Sequence, residues 1–405
     1  MPASPTAPPS PLPSAPAGTA APIQARSVEL SGDARRTRIA FEMSGRPEFT
    51  AYRLADPYRV IVDLSGVEFA LPQGAGRQRL GLVSAFRYGL VAEGKSRIVI
   101  DTAGPVRIEW ARLEAATSGP GASLTLDFIP ATATEVAADE IAAATAGFDA
   151  AKPKAPERPD AAKPKRNRPI VVIDPGHGGI DSGAQGALGL EKDLVLAVAL
   201  QIQRALAATR RYDIVMTRST DVFLSLDQRV RLSSRHVADL FISIHADSLA
   251  ARELAHQVRG ATLYVLSDKA SDDRSRRLAE KENAADLLAG LRIDTAPNDV
   301  QVRDILVDLM RRESATLSND FRSLLLGQMR PRLALAKEPA RAAPFKVLRQ
   351  PGSPAVLLEL GYISNPEDEK LMGTEVWQRS IAQAVTAAVA EYFRRQVVRK
   401  GGAEP

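Results

Sequence analysis

The chain has 405 residues, 28 prolines, no cysteine and a formal charge of +5. That length is enough for two or three domains with cores of their own. The missing cysteine excludes disulfides, thiol nucleophiles and cysteine metal sites, so any metal would need His, Asp or Glu ligands. The charge suggests an anionic partner, but residues 151–168 (AKPKAPERPDAAKPKRNR) carry seven Lys/Arg against two Asp/Glu, which is the whole excess; the rest of the chain is balanced, and nucleic acid is not expected.

Residues 1–22 hold eight prolines and almost nothing to bury, a composition that predicts disorder. They lack the basic start and apolar core of a signal peptide, and no apolar run reaches the ~18 residues of a membrane span. No transmembrane segment is therefore expected, and export would require a signal already removed. Over residues 26–130, β-rich runs recur at 27–30, 38–42, 59–64, 84–90, 97–101, 106–111 and 123–128, punctuated by Gly, Pro, Asp and Ser. The spacing predicts a β-sandwich. This segment contains no histidine, and it reads as a binding or spacing module. Residues 131–169 read as a linker, semi-rigid and charged, with a short helix at about 135–146.

Residues 170–397 alternate strands and helices, predicting an α/β domain with a twisted, mostly parallel sheet flanked by helices. Strands are expected at 169–174, 212–218, 238–246, 260–266 and 354–359, and helices at 192–209, 225–235 and 375–395. Between Leu266 and Pro354 lies a mostly helical insertion, with one helix over 271–291 and another over 300–329. The second carries Val302, Ile305, Leu306, Leu309, Leu317, Phe321, Leu324 and Leu325 on one stripe. Insertions of this length are often functional.

The four histidines are His177, His236, His245 and His256. His177 (in Asp174-Pro175-Gly176-His177-Gly178-Gly179) and His245 (in Ser243-Ile244-His245-Ala246-Asp247) stand at predicted strand ends, where α/β folds place their sites. His236 ends a polar helix and His256 sits in a polar loop. Glu191 begins a helix, and Glu359 ends the apolar run Ala355-Val356-Leu357-Leu358. A buried carboxylate is costly unless it is paired, hydrogen-bonded or on a metal. Two histidines and one carboxylate suffice for a catalytic zinc with an open fourth position, and another carboxylate beside it can move a proton. The plainer alternatives are hydrogen-bonded structural histidines and a solvated Glu191 favoured by the helix dipole. A phosphate-cradling loop at 174–186 is disfavoured, because Gly-Lys-Ser/Thr and the Gly-x-Gly-x-x-Gly spacing are both missing.

At these residues the chain resembles a known family. IDPGHGGIDSGA, the Gly189-Leu190-Glu191-Lys192-Asp193 segment, SIHAD and LLELGYISNPEDE are similar, in order, to the motifs of the zinc-dependent N-acetylmuramoyl-L-alanine amidases, more narrowly the division-associated ones with an N-terminal AMIN domain. The resemblance covers about 170–395; residues 27–130 resemble AMIN more weakly, chiefly through 56–64 and 97–101. It implies zinc bound by His177, Glu191 and His245, with Asp247 a further candidate ligand. Glu359 would take a proton from water and give one to the departing L-alanine nitrogen. One departure is Leu358-Glu359-Leu360-Gly361, where many relatives have a Val-Glu-Thr-type segment.

The resemblance also implies a periplasmic monomer that acts on peptidoglycan for daughter-cell separation, with the AMIN-like sandwich as its wall-targeting module. The helical insertion at about 267–345 would keep it off until a LytM-domain activator protein binds. Glu282, on the same helix side as Leu278 and Ala285, would be the inhibitory fourth ligand. The 300–329 stripe would serve an activator, or simply pack against the domain. Three other functions are weighed against this one: a catalytically inactive wall-binding protein, a zinc peptidase on the same scaffold, and a nucleotide-binding protein.

Overall fold

The computed structural model describes residues 22–136, 167–248, 258–289 and 305–399, apart from Asp56, Gln73, 117–120 and Pro351. The expected disorder of residues 1–21, most of the 131–169 linker with its 135–146 helix, and His256 lie outside the described residues.

The N-terminal part is two facing sheets. One has the order β5-β1-β2-β9-β8 and the other β3-β4-β7-β6. The strands are β1 (Ile23–Gly32), β2 (Thr37–Met43), β3 (Phe49–Leu54), β4 (Arg59–Ser65), β5 (Val67–Phe69), β6 (Val83–Ala92), β7 (Lys95–Thr102), β8 (Val106–Ala115) and β9 (Ala122–Pro130). Ile39, Phe41 and Met43 of β2 alternate inward, to meet Val60, Val62, Leu64, Ile98 and Ile100 of the other sheet. In β4 the alternation disappears because both faces are covered: Val60, Val62 and Leu64 point into the sandwich, while Ile61 joins a separate apolar cluster outside it. Strands β3 and β5 were not expected from the sequence. Three-residue β5 forms by parallel pairing with β1, a contact that leaves no local pattern.

The second sheet system has the order β11-β10-β12-β15-β13-β14, built from β10 (Ile170–Pro175), β11 (Asp213–Met216), β12 (Leu240–His245), β13 (Ala261–Leu266), β14 (Leu335–Ala343) and β15 (Ala355–Glu359). All its pairings are parallel except β13 with β15, in keeping with the expected α/β class. The helices are α1 (Glu191–Ala208), α2 (Leu226–Arg235), α3 (Asp273–Asn283), α4 (Ala285–Leu288), α5 (Ile305–Met329), α6 (Pro366–Met372) and α7 (Glu375–Arg399). Helices α1, α5 and α7 cover one face through Val195, Val198, Ile202, Phe321, Leu325, Ile381 and Val385. Leu278 and Ala279 of α3, with Phe345 and Val347, cover the other.

Two expectations are corrected here. The stretch 271–291 is two helices, broken at Ala284, not one. The region before Pro354 also ends in strand β14, whose LAKEPARAA sequence is poor in β-formers; it is an edge strand, where Pro339 is tolerated. In α5 Phe321 and Leu325 of the stripe are core, joined there by Leu326 and Met329, which favours simple packing for those positions.

Candidate active site

Three neighbouring parallel strands, β10, β12 and β15, end side by side and deliver the site. His245 and Glu359 are register partners at the tips of β12 and β15, and His177 follows β10 by two residues. Strand C-termini are where α/β sheets leave a crevice, because the chain departs there on both faces.

The His177 loop is held under strain. His177 has φ +57°, a left-handed conformation that costs a non-glycine residue about 1–3 kcal/mol. Two buried arginines clamp the loop's carbonyls: Arg229 donates to His177 O at 2.7 Å and Pro175 O at 2.6 Å, and Arg218 to Gly176 O at 2.8 Å. Glycines make room: a Cβ on Gly176 would stand 2.4 Å from the His245 ring, and one on Gly183 would stand 2.6 Å from the His177 ring. The loop's glycines serve close packing within the site, which is further reason against the phosphate-loop alternative.

Four side-chain atoms converge. His177 Nε2 is 3.0 Å from Glu191 Oε1 and 3.4 Å from Glu282 Oε2; His245 Nδ1 is 3.4 Å and 3.3 Å from the same two oxygens. All four residues are buried. Yet among the described residues neither nitrogen finds a hydrogen-bond partner, although buried polar atoms are nearly always satisfied. Two imidazole nitrogens and two carboxylate oxygens around one point are the donor set of a four-coordinate zinc. The donor atoms of His177, His245 and Glu282 all lie within 4.8 Å of one another, so the group could hold a metal ion.

Each member is oriented from behind. His177 Nδ1 meets Asp181 Oδ2 at 2.8 Å, the carboxylate–histidine arrangement that fixes ring orientation and raises ligand basicity. Glu191, the first residue of α1, accepts from Ala184 N and Ala246 N, both at 2.8 Å. Burial opposes charging His177, but Asp181, Glu191 and Glu282 outweigh it and hold its pKa well above the ordinary histidine range. Burial likewise opposes charging Glu191, and the two histidines reverse that to hold it well below the carboxylate range.

Glu359 lies beside this group and differs from it. Its Oε2 accepts from Asp247 N at 2.9 Å, and its Oε1 is buried with no partner among the described residues. Burial, then the charges of Asp247, Glu191 and Glu282, push its pKa well above the usual range. A carboxyl set beside the convergent group in this way is placed for proton transfer. Asp247 stands outside the convergent group; its Oδ1 is 3.3 Å from Lys281 Nζ and accepts from Ser248 N, and burial pushes it up to about 6. His236 is the C-cap residue of α2.

Helices α3 and α4 cross the cleft, where Glu282 and Ala285 line what space remains with His177, His245 and Val347. Leu278, Glu282 and Ala285 are all buried on this side, as their spacing predicts. Four residues that shape the site were missed at the sequence level: Asp181, Arg218, Arg229 and Lys281. Asp181, four residues after His177 in a glycine-rich loop, was the one within reach of local reasoning.

A family model described as N-acetylmuramoyl-L-alanine amidase matches residues 171–391, and one described as AMIN domain matches residues 27–123. The N-acetylmuramoyl-L-alanine amidase AmiC of Escherichia coli O6:H1 is 30% identical over 369 residues, covering 88% of this chain and 86% of that protein. AmiA of Escherichia coli K12 is 37% identical over 260 residues, covering 64% and 84%. Among solved structures, the catalytic domain of the amidase CwlV from Bacillus (Paenibacillus) polymyxa is 30% identical with a TM-score of 0.37, covering 56% of this chain and 98% of that one.

Proposed function

Because the chain belongs to the N-acetylmuramoyl-L-alanine amidase family, enzymes of peptidoglycan, we propose that it hydrolyses the bond between the muramic lactyl group and L-alanine at a zinc held by His177, Glu191 and His245. The observation that carries this reading is the pair of buried, unpartnered histidine nitrogens facing the same carboxylate oxygens. The chemistry such an ion supplies when bound is Lewis acidity, which polarises an amide carbonyl and acidifies water. The remaining work falls to the chain itself. Glu359 Oε1, without a partner among the described residues, takes a proton from the attacking water and returns one to the departing L-alanine nitrogen. The amide of Asp247 keeps the other oxygen still. Arg229 and Arg218 hold the His177 loop in its strained geometry, and Asp181 sets that ring's orientation.

In this reading Glu282 fills the fourth position, so the described conformation is the closed one. Helix α3 must move before substrate enters, and a LytM-domain activator is the proposed agent. The sandwich would bind peptidoglycan, and the protein would act as a monomer in the periplasm during daughter-cell separation.

Two substitutions test these assignments. Glu359→Gln should retain stoichiometric zinc while turnover on purified sacculi falls by about a hundredfold or more, the usual worth of a positioned general base; an active Glu359→Gln enzyme overturns its role. Glu282→Ala should raise activity without activator by about tenfold or more, each factor of ten being ~1.4 kcal/mol of closure removed; unchanged basal release of stem peptides would sink the inhibitory role.

A further inference from the structure

The closed helices are held from two sides, and one side belongs to the N-terminal sandwich. A helix leaves its last carbonyls without intrahelical partners. At the end of α4 these are met by arginines from more than 190 residues earlier in the chain. Arg59 donates to Leu287 O, and Arg97 donates to Ala289 O at 3.1 Å. Arg97 is itself locked by Asp63 through bonds of 2.6 and 3.0 Å. Around them Leu54, Ile61 and Val99, on the outer face of β3, β4 and β7, form one apolar cluster with Ile180, Phe223 and Ala289.

The same sandwich also grips the opposite wall of the cleft. Leu90 O, on edge strand β6, accepts from Ile180 N at 3.3 Å and from Phe223 N at 3.2 Å. Backbones meet so closely there that a Cβ on Gly89 would lie 2.5 Å from Gly179 C. Gly179 and Ile180 continue the His177 loop. The sandwich therefore touches both the loop that presents His177 and the helix pair that presents Glu282.

We propose that the sandwich is a clamp on the catalytic site: docked, it caps α4 and holds α3 and α4, with Glu282, closed over the histidines. This rests on the reading of Glu282 as the closing ligand. Inside the catalytic part the pair has its own ties, Asp286 accepting from Leu226 N at 3.0 Å and Asn283 donating to Pro344 O at 3.0 Å; these anchor its middle, and the sandwich anchors its end. Linkage makes the coupling reciprocal. Drawing the sandwich off the seam eases lifting of the helices, and lifting the helices weakens docking of the sandwich.

The test is hydrogen exchange on the full chain. In an Arg59→Ala/Arg97→Ala variant, amides of residues 278–289 should exchange about tenfold faster or more, as local opening loses two capped carbonyls, while β2 and β9 exchange as in the parent. Gly89→Val pries the seam from its other end without touching α4. Once faster exchange at Ile180 and Phe223 shows it open, residues 278–289 should loosen there too. Unchanged exchange of 278–289 in both variants overturns the clamp. Activity of Glu282→Ala separates the two readings: loosened helices beside a Glu282→Ala enzyme no more active than the parent leave the clamp standing and remove the inhibition.

Discussion

Asp174 near the end of β10 and Glu359 at the end of β15, with β12 between them, are both fully buried carboxylates, and their pKa values move in opposite directions. Burial alone would raise Asp174. The Arg229 guanidinium at 2.7 Å and the Thr217 and Ser243 hydroxyls at 2.6 and 2.7 Å reverse that and hold it below the ordinary range. Around Glu359 the neighbouring charges are mostly carboxylates, so burial and repulsion add. The first arrangement is structural and the second is poised for proton transfer. Asp174→Ala should therefore cost about 3–5 kcal/mol, because it leaves Arg229 buried and uncompensated; urea denaturation would measure it. The sign for pH follows from the lowered pKa. The contribution of Asp174 is complete above its ordinary value of 3.8 and is lost as pH falls through the lower folded value. The acid limb of the stability curve should be shallower in the variant.

At the scale of elements, α2 is the support on which Arg229 rides. Its N-cap is a capping box: Ser225 Oγ accepts from Gln228 N at 3.2 Å, and Gln228 Oε1 accepts from Ser225 N at 2.8 Å. Ser225→Ala should cost about 1 kcal/mol, read as a shift in denaturation midpoint, and should also loosen the His177 loop through Arg229. Helix starts of this kind are legible in sequence, since cap and partner lie three residues apart. Strand ends were legible too: His177, His245 and Glu359 follow apolar runs, and a glutamate closing such a run has few bland explanations. Other elements were not. β14 has a sequence few strands would choose and forms because β13 offers an open edge. The break at Ala284 falls in a run with continuous helical character, at the point where Asn283 turns aside to bond Pro344 O and Lys346 N.

On the scale of the whole molecule, the +5 charge that first suggested an anionic partner lies in residues 151–168, between a sandwich and an α/β unit that need no basic surface for the proposed chemistry. The missing cysteine proved the more informative number, since it restricted any metal site to imidazole and carboxylate. The sandwich was legible as a fold but not as a neighbour of the site: nothing in the β4 and β7 sequences distinguishes Arg59 and Arg97 from other strand arginines. Their partners are main-chain carbonyls, which carry no residue signature at all. The sequence by itself determined most of the element types, the two architectures and the strand-end residues, because periodicity, caps and turns are written within a few positions. Only the tertiary structure decided how Glu191 and Glu282 meet two histidines at one point with Asp181 behind His177, and that the sandwich spans both walls of the cleft, because those contacts join positions as far as 228 residues apart and depend on how finished elements pack.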